Sequence, residues 1–410
     1  MVNVELIIFI GMLLLSFGLI FRYRDRVKIE PILGIPLKKP IRIFGKNIKK
    51  FPLIYAVLIR TKIGLKFTDR VVERLKNKSK WIGYGCIGIG VICVFYISYL
   101  LINHLITQII NPTPTAQAVA FVLPFKVKGA IYVPLIYWLL SIVILATIHE
   151  FGHALIARAH NIKVRYTGPA FFAILIPLIP AAYVEPDEKE INRRPKKQQL
   201  SVYSAGAVFN IVSGLIVLLV LIGLTMVTNP MINSDGVVVD YISSETLKKV
   251  GLKEGQIIDE LSVGDFVYSI NGPSDLAESI KDRKPGTEII IRTRDDSGYF
   301  QEYFYRLESN PKDNNKGMFG ISVSQHESFK EEAIQKYGLI TVKSIKWLKG
   351  LFLWVSLLSI GIGFFNLLPM VPLDGGLMVK SFVIGTKFEK PVTFGISGIF
   401  LLILILLFFV

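Results

Sequence analysis

Long apolar runs alternate with short polar joints along most of this chain, and one interval in its second half breaks the rhythm. The runs at 4–21, 81–110, 131–160, 200–227, 347–368 and 391–410 each approach the roughly 20 apolar residues a helix needs to cross a bilayer. About six spans of a polytopic α-helical membrane protein are therefore expected. The stretch GPAFFAILIPLIPAAYVEPDE at 168–188 is also apolar, but Pro169, Pro177 and Pro180 break it. It reads as a re-entrant, strand-like hairpin that lines protein rather than lipid. Between 233 and 327 apolar runs shorten, charge rises and Asn271-Gly272 offers a turn. VVVDYI, FVYSI, TEIIIRT and YFQEYFYRL read as strands there, and SETLKKVG and DLAESIKDR as short helices. This interval is expected to be a small α+β domain of about 95 residues, enough for a core of its own. Residues 328–346 are amphipathic and expected along the membrane interface.

Composition agrees with the pattern. Of 410 residues 52% are hydrophobic, and the mean hydropathy is +0.51, more apolar than a soluble chain of this length. The net charge of +16 matters through its placement: residues 22–80 hold 18 Lys or Arg against Asp25, Glu30, Asp69 and Glu73. Between two apolar runs such a block is explained by the positive-inside rule, and nucleic-acid binding is not expected. The first run has no basic residues before it and no small-residue cleavage site, and Arg22, Arg24 and Arg26 follow it. It is expected to be a retained anchor with its N-terminus outside. Alternation then places 22–80 and 185–199 in the cytoplasm, and NPTPTAQAV and 233–327 outside. The expected divisions are an anchor and basic cytoplasmic loop (1–80), a second span and outer loop (81–130), two half-cores (131–232 and 328–390) flanking the outer domain (233–327), and a last span (391–410). Cys86 and Cys93 share a helix face, so no disulfide framework is implied.

Against that background ILATIHEFGHALIAR, 144–158, stands out. Each charged residue at the centre of a membrane helix costs about 2.5–3.5 kcal/mol on the insertion scale, so ionisable groups there mark function. His149 and His153 are four apart and share one helix face, able to chelate one ion, and Glu150 lies beside them. This is the zinc metallohydrolase arrangement, and it calls for a third protein ligand with one position left open. Asp374 in PLDGG, at the inner end of a later span, is the natural candidate. Glu185 in YVEPDE, His104 and His160 are the alternatives left open by the sequence.

HEFGH in one span and NLLPMVPLDGG in a later one resemble the two signatures of the site-2 protease family of intramembrane zinc metalloproteases. SAGAVFN, 204–210, is similar to a third family element, with Ala207 where Pro is frequent. The outer interval falls where that family often carries a PDZ domain, and GVVVDYI with GLKEGQII resembles one, although the inserted LSVGDFV departs from the pattern. The resemblance spans about residues 131–380. It implies peptide-bond hydrolysis inside the membrane, on transmembrane protein substrates. Zn2+ would be held by His149, His153 and Asp374, and Glu150 would be the proton shuttle. Asn210 would contact the oxyanion, and Asn366 would hold the loop before Asp374 or meet the substrate backbone. It also implies a multi-pass protein of the cell membrane with the zinc site near the cytoplasmic side, and peptide termini as ligands of the PDZ-like domain. Two other readings are a prenyl-protein type of membrane zinc protease, which would want a glutamate as third ligand, and a non-catalytic scaffold, for which Glu150 has no use.

Overall fold

The computed structural model describes residues 4–43, 46–111, 120–125, 130–174, 176–295, 298–310 and 313–409. Nearly all of the expected outer loop NPTPTAQAV lies outside the described residues.

The chain opens with helix α1 (Val4–Arg22) and continues into strands β1 (Val27–Ile43) and β2 (Lys46–Ile59), then α2 (Leu65–Leu75). The basic segment expected as a loop is thus a long hairpin and an amphipathic helix. Next come α3 (Asn77–Ile110), the short strands β3 (Phe121–Leu123) and β4 (Ala130–Tyr132), and α4 (Leu135–Ala159). Strands β5 (Val164–Ile174) and β6 (Ile176–Pro186) follow, then α5 (Glu188–Arg193) and α6 (Lys196–Thr228). The Pro-broken apolar stretch is therefore an antiparallel hairpin, with Thr167 opposite Val184 and Ala170 opposite Ala181. It does not stand alone. β2 pairs with β5, Leu58 facing Ala170, and the four strands form one sheet in the order β1-β2-β5-β6. Pairing with a hairpin from more than 100 residues upstream satisfies backbone groups that a lone hairpin at membrane depth would leave bare.

Contacts divide the chain into two units, 1–222 with 348–410, and 223–347. The second unit carries β7 (Ile232–Ile242), α7 (Glu245–Val250), β8 (Ile257–Val263), β9 (Phe266–Ser269) and α8 (Pro273–Ile280). It continues with β10 (Glu288–Arg294), β11 (Phe300–Arg306), β12 (Glu308–Asn310), β13 (Asp313–Met318), β14 (Ile321–Phe329) and α9 (Glu331–Tyr337). Its main sheet runs β11-β10-β8-β7-β14, with β9 paired to β8. Alternating apolar residues of β7, β8 and β10 (Val237, Val239, Ile258, Leu261, Ile289 and Ile291) fill one core with Leu247 and Leu276 from the two helices. Each such side chain contributes roughly 1.5–3 kcal/mol when fully buried. Ser244 caps α7 by accepting the Leu247 amide at 3.1 Å, and Gly251 ends it in the left-handed region. The stretch LSVGDFV, which reads as an interruption, is the end of β8, its turn and the start of β9.

The chain closes with α10 (Leu339–Asn366), α11 (Asp374–Val383) and α12 (Glu389–Phe409). Among the described residues five helices are long and apolar enough to cross a membrane: α3, α4, α6, α10 and α12. The chain is a multi-pass membrane protein, and α1 counts as a shorter apolar helix. Small residues set the spacing of these helices. A methyl at Gly363 on α10 would come within 2.9 Å of the Ala207 carbonyl oxygen on α6, and one at Gly214 within 3.0 Å of the Ser356 carbonyl oxygen. Close backbone approach of this kind substitutes for the hydrophobic drive that lipid removes.

Candidate metal centre

Three elements converge. α4 presents His149 and His153 on successive turns, α6 passes across them, and α11 begins with Asp374. The His149 and His153 Nε2 atoms are 3.1 Å apart. Asp374 Oδ2 lies 3.4 Å from His149 Nε2, and Oδ1 lies 3.4 Å from His153 Nε2. These are the group of metal-type donors that the structure brings together among the described residues. Two donors bound at about 2.1 Å on a tetrahedral ion stand about 3.4 Å apart, so the triangle has the size that zinc requires. Asp374 Oδ2 is buried without a hydrogen-bond partner, an expensive arrangement unless a cation completes it.

The surroundings fix both rings. His153 Nδ1 donates to the Val202 carbonyl at 2.8 Å, which leaves Nε2 with its lone pair toward the centre. For His149 Nε2 to face the centre in the same way, its Nδ1 must carry the proton. The neighbour of that nitrogen is the Asn210 side-chain amide, 3.4 Å away, and the Asn210 Oδ1 is buried without a partner. Turning the amide so that Oδ1 accepts from Nδ1 satisfies both atoms, a choice the heavy-atom positions alone leave free. Such outer hydrogen bonds orient metal-ligating histidines generally.

Glycine makes the convergence possible. Gly206 lies against both rings: a methyl there would overlap the His153 ring and stand 2.8 Å from His149 Nε2. Gly375 and Gly376 pack on the backbone of Leu367, Leu368 and Met370, with no room for a Cβ, and so bring the start of α11 to the histidines. The motif SAGAVFN was legible as a motif, but the contact that Gly206 makes was not.

Glu150 sits half-buried beside His149 on α4, the helix against which β6 lies. Asn366 ends α10, half-buried and outside the donor triangle. The alternative ligands are placed elsewhere. Glu185 is held by Arg60, whose Nε and Nη2 donate to its two oxygens at 3.2 and 3.0 Å. His104 lies in the last two turns of α3. His160 caps the C-terminal end of α4, buried, with Nε2 2.9 Å from Ser201 Oγ and its ring beside Tyr84. Burial, with Lys80 and Arg194 nearby, pushes the His160 pKa down to about 4, so its imidazole is neutral at physiological pH.

Residues 137–410 match peptidase family M50, the site-2 protease family. The chain is also similar to an uncharacterized protein of Methanocaldococcus jannaschii, 28% identical over 339 residues, covering 80% of this chain and 78% of that protein.

Proposed function

Because the chain belongs to peptidase family M50, whose members are membrane-embedded zinc proteases, we propose that it hydrolyses peptide bonds within or near transmembrane segments of membrane-anchored proteins. The observation that carries this reading is the donor triangle of His149, His153 and Asp374, with sides of 3.1, 3.4 and 3.4 Å. These residues would hold Zn2+, which when bound supplies Lewis acidity to the scissile carbonyl and to the attacking water. Glu150 takes the proton of that water and passes it to the leaving amine. Asn210 can serve twice, Oδ1 accepting from His149 and Nδ2 donating to the oxyanion. Asn366 holds the loop that leads to Asp374.

A substrate helix hides its carbonyls in its own hydrogen bonds, so the segment to be cut must be unwound. β6 ends the order of its sheet and lies against α4, which supports pairing of an extended substrate segment along its edge. The basic block at 22–80 supports a cytoplasmic position for that segment and for the zinc site, in a cell membrane, with 233–327 outside. The β-rich fold of the second unit and its GLKEGQII turn are compatible with a PDZ-like domain that binds peptide termini. The family match removes the prenyl-protein type of protease. Against a non-catalytic scaffold stands Glu150, a carboxylate beside the metal donors.

The test is a comparison of single variants purified in lipid. His149→Ala, His153→Ala and Asp374→Ala should each lose zinc and activity, while Glu150→Gln should keep zinc and lose activity. Full zinc in Asp374→Ala, with loss of zinc in Glu185→Ala, would overturn the ligand assignment, and an active Glu150→Gln protein would overturn the proton shuttle.

A further inference from the structure

We propose that Arg60 and Glu185 are positioning residues for the hydrolysis: they hold β6 in its place against α4, the helix that carries Glu150. The inference rests on the reading of Glu150 as the proton shuttle, and it draws into the reaction a hairpin that precedes the stretch matched by the family, which begins at residue 137.

The connection runs across three strands. Just past the end of β2, the Thr61 amide donates to the Thr167 carbonyl at 3.1 Å, and the Thr167 amide donates back at 3.2 Å. Thr61 Oγ1 donates to the same carbonyl at 2.6 Å, and Thr167 Oγ1 donates to the Ile63 carbonyl. Thr167 faces Val184 in the β5–β6 ladder, and Val184 packs on the cluster that includes Leu155 and Ile156 of α4, as does Phe151, the neighbour of Glu150. One residue further, the Arg60 guanidinium grips both oxygens of Glu185, and its plane lies 5.0 Å over the Tyr166 ring. Lys28 of β1 adds a second cation, 3.9 Å from Glu185 Oε1. A planar fork on a carboxylate fixes direction as well as distance, which a lone ammonium does not.

Alternation along β6 separates this grip from the metal. Val184 packs with Leu155 and Ile156 of α4, whereas Tyr183 packs with Ala56, Leu58 and Ala170 on another cluster. Glu185 shares the parity of Tyr183. The ion pair therefore holds β6 from the face away from α4 and touches neither histidine nor Asp374. Releasing it leaves the donors in place and lets β6 drift from the helix that carries the base. A shift of about 1 Å at a catalytic group costs on the order of 100-fold in rate, so this is a place where a remote pair is felt.

The experiment uses the full chain in lipid nanodiscs with a single-span fusion reporter that the wild-type protein cleaves. Arg60→Met and Glu185→Gln should keep wild-type zinc content and lower kcat by about 10- to 100-fold. KM should stay within about twofold, because only the reacting geometry is disturbed. Hydrogen exchange of residues 180–187, read on metal-free protein as well, should accelerate, while α3 and α6 exchange as before. The exchanged pair Arg60→Glu with Glu185→Arg should recover kcat above either single variant. Arg60→Lys keeps the charge without the fork and should fall between wild type and Arg60→Met, which gives a reading even where the stronger variants fold poorly. Wild-type kcat in Arg60→Lys with unaltered exchange in β6 overturns the proposal, as does an exchanged pair no better than the singles. Glu150→Gln, run alongside, separates the two levels: an active Glu150→Gln protein defeats the mechanism, whereas an inert one beside fully active Arg60 and Glu185 variants defeats this inference alone.

Discussion

Replacing Gly206 by Ala adds one methyl group at the most crowded point of the centre. That carbon would stand 2.8 Å from His149 Nε2, about 0.6 Å inside ordinary van der Waals contact, and would overlap the His153 ring outright. α6 has little room to retreat. Ser204, Ala205, Ala207 and Asn210 around Gly206 are all fully buried, and Gly152 of α4 already approaches the Ala205 carbonyl closely. The rings must therefore move, and a displacement of about 0.6 Å exceeds the roughly 0.2 Å tolerance of metal–ligand distances. Overpacking of this kind costs about 1–3 kcal/mol. If that cost falls on the metal-bound arrangement, zinc affinity drops by about 5- to 150-fold. Competition against a graded series of chelators measures the affinity directly, and a melting curve of the metal-free protein shows whether the fold itself has suffered. Gly206→Ala protein that binds zinc with wild-type affinity would refute the packing argument, since it would mean that the rings have slack which the geometry denies.

Three further outcomes are expected. In a background lacking Cys86 and Cys93, an impermeant thiol reagent applied from outside should label Phe300→Cys and not Lys62→Cys; the reverse pattern would invert the topology. His160, held neutral by burial with a pKa near 4, resists protonation in the folded state but not in the unfolded one. Its contribution is therefore present above the ordinary histidine value and is lost as pH falls from about 6.5 toward 4; melting of wild-type and His160→Gln protein across this window should diverge, and parallel curves would discount it. Ile232 and Phe329 are paired at the ends of β7 and β14, so residues 233–327 can be replaced by a short linker. The shortened protein should retain zinc and cleave substrates with bulky outer domains that the intact protein rejects, and an unchanged ratio of cleavage rates with and without the bulky domain would remove the interval's role as a gate.

The sequence showed some parts of this architecture far better than others. The spans were legible because bilayer thickness imposes length and apolarity on each helix separately, and HEFGH was legible because helical periodicity alone puts its two histidines on one face. The β1–β2 hairpin was not. Pro31, Pro36 and Pro40 interrupt any alternation in β1, and a strand can carry them because it is the edge of its sheet, where missing amide donors cost least. Its justification also lies far away, in the pairing of Leu58 with Ala170, which no local pattern encodes. The same distance hid the fate of Glu185. As a carboxylate in a charged loop it was a fair rival to Asp374 until Arg60, 125 residues upstream, was seen to hold both of its oxygens. LSVGDFV looked like a defect in a motif because a turn between two short strands has no period of its own.

The donor triangle also has a mechanical side. His149 and Asp374 are separated by more than half of the chain, with the whole second unit between them. An ion shared by α4 and α11 would therefore act in the folded chain as a cross-link that closes a very long loop. Closure entropy grows only slowly with loop length, so joining segments this far apart in the folded chain costs little extra per residue spanned. Stability then becomes a function of metal supply, rising with free ion concentration as any ligand bound by the folded form dictates. With the ion withheld, α4 and α11 would lose this fastening, and the protein would be more open to proteolysis.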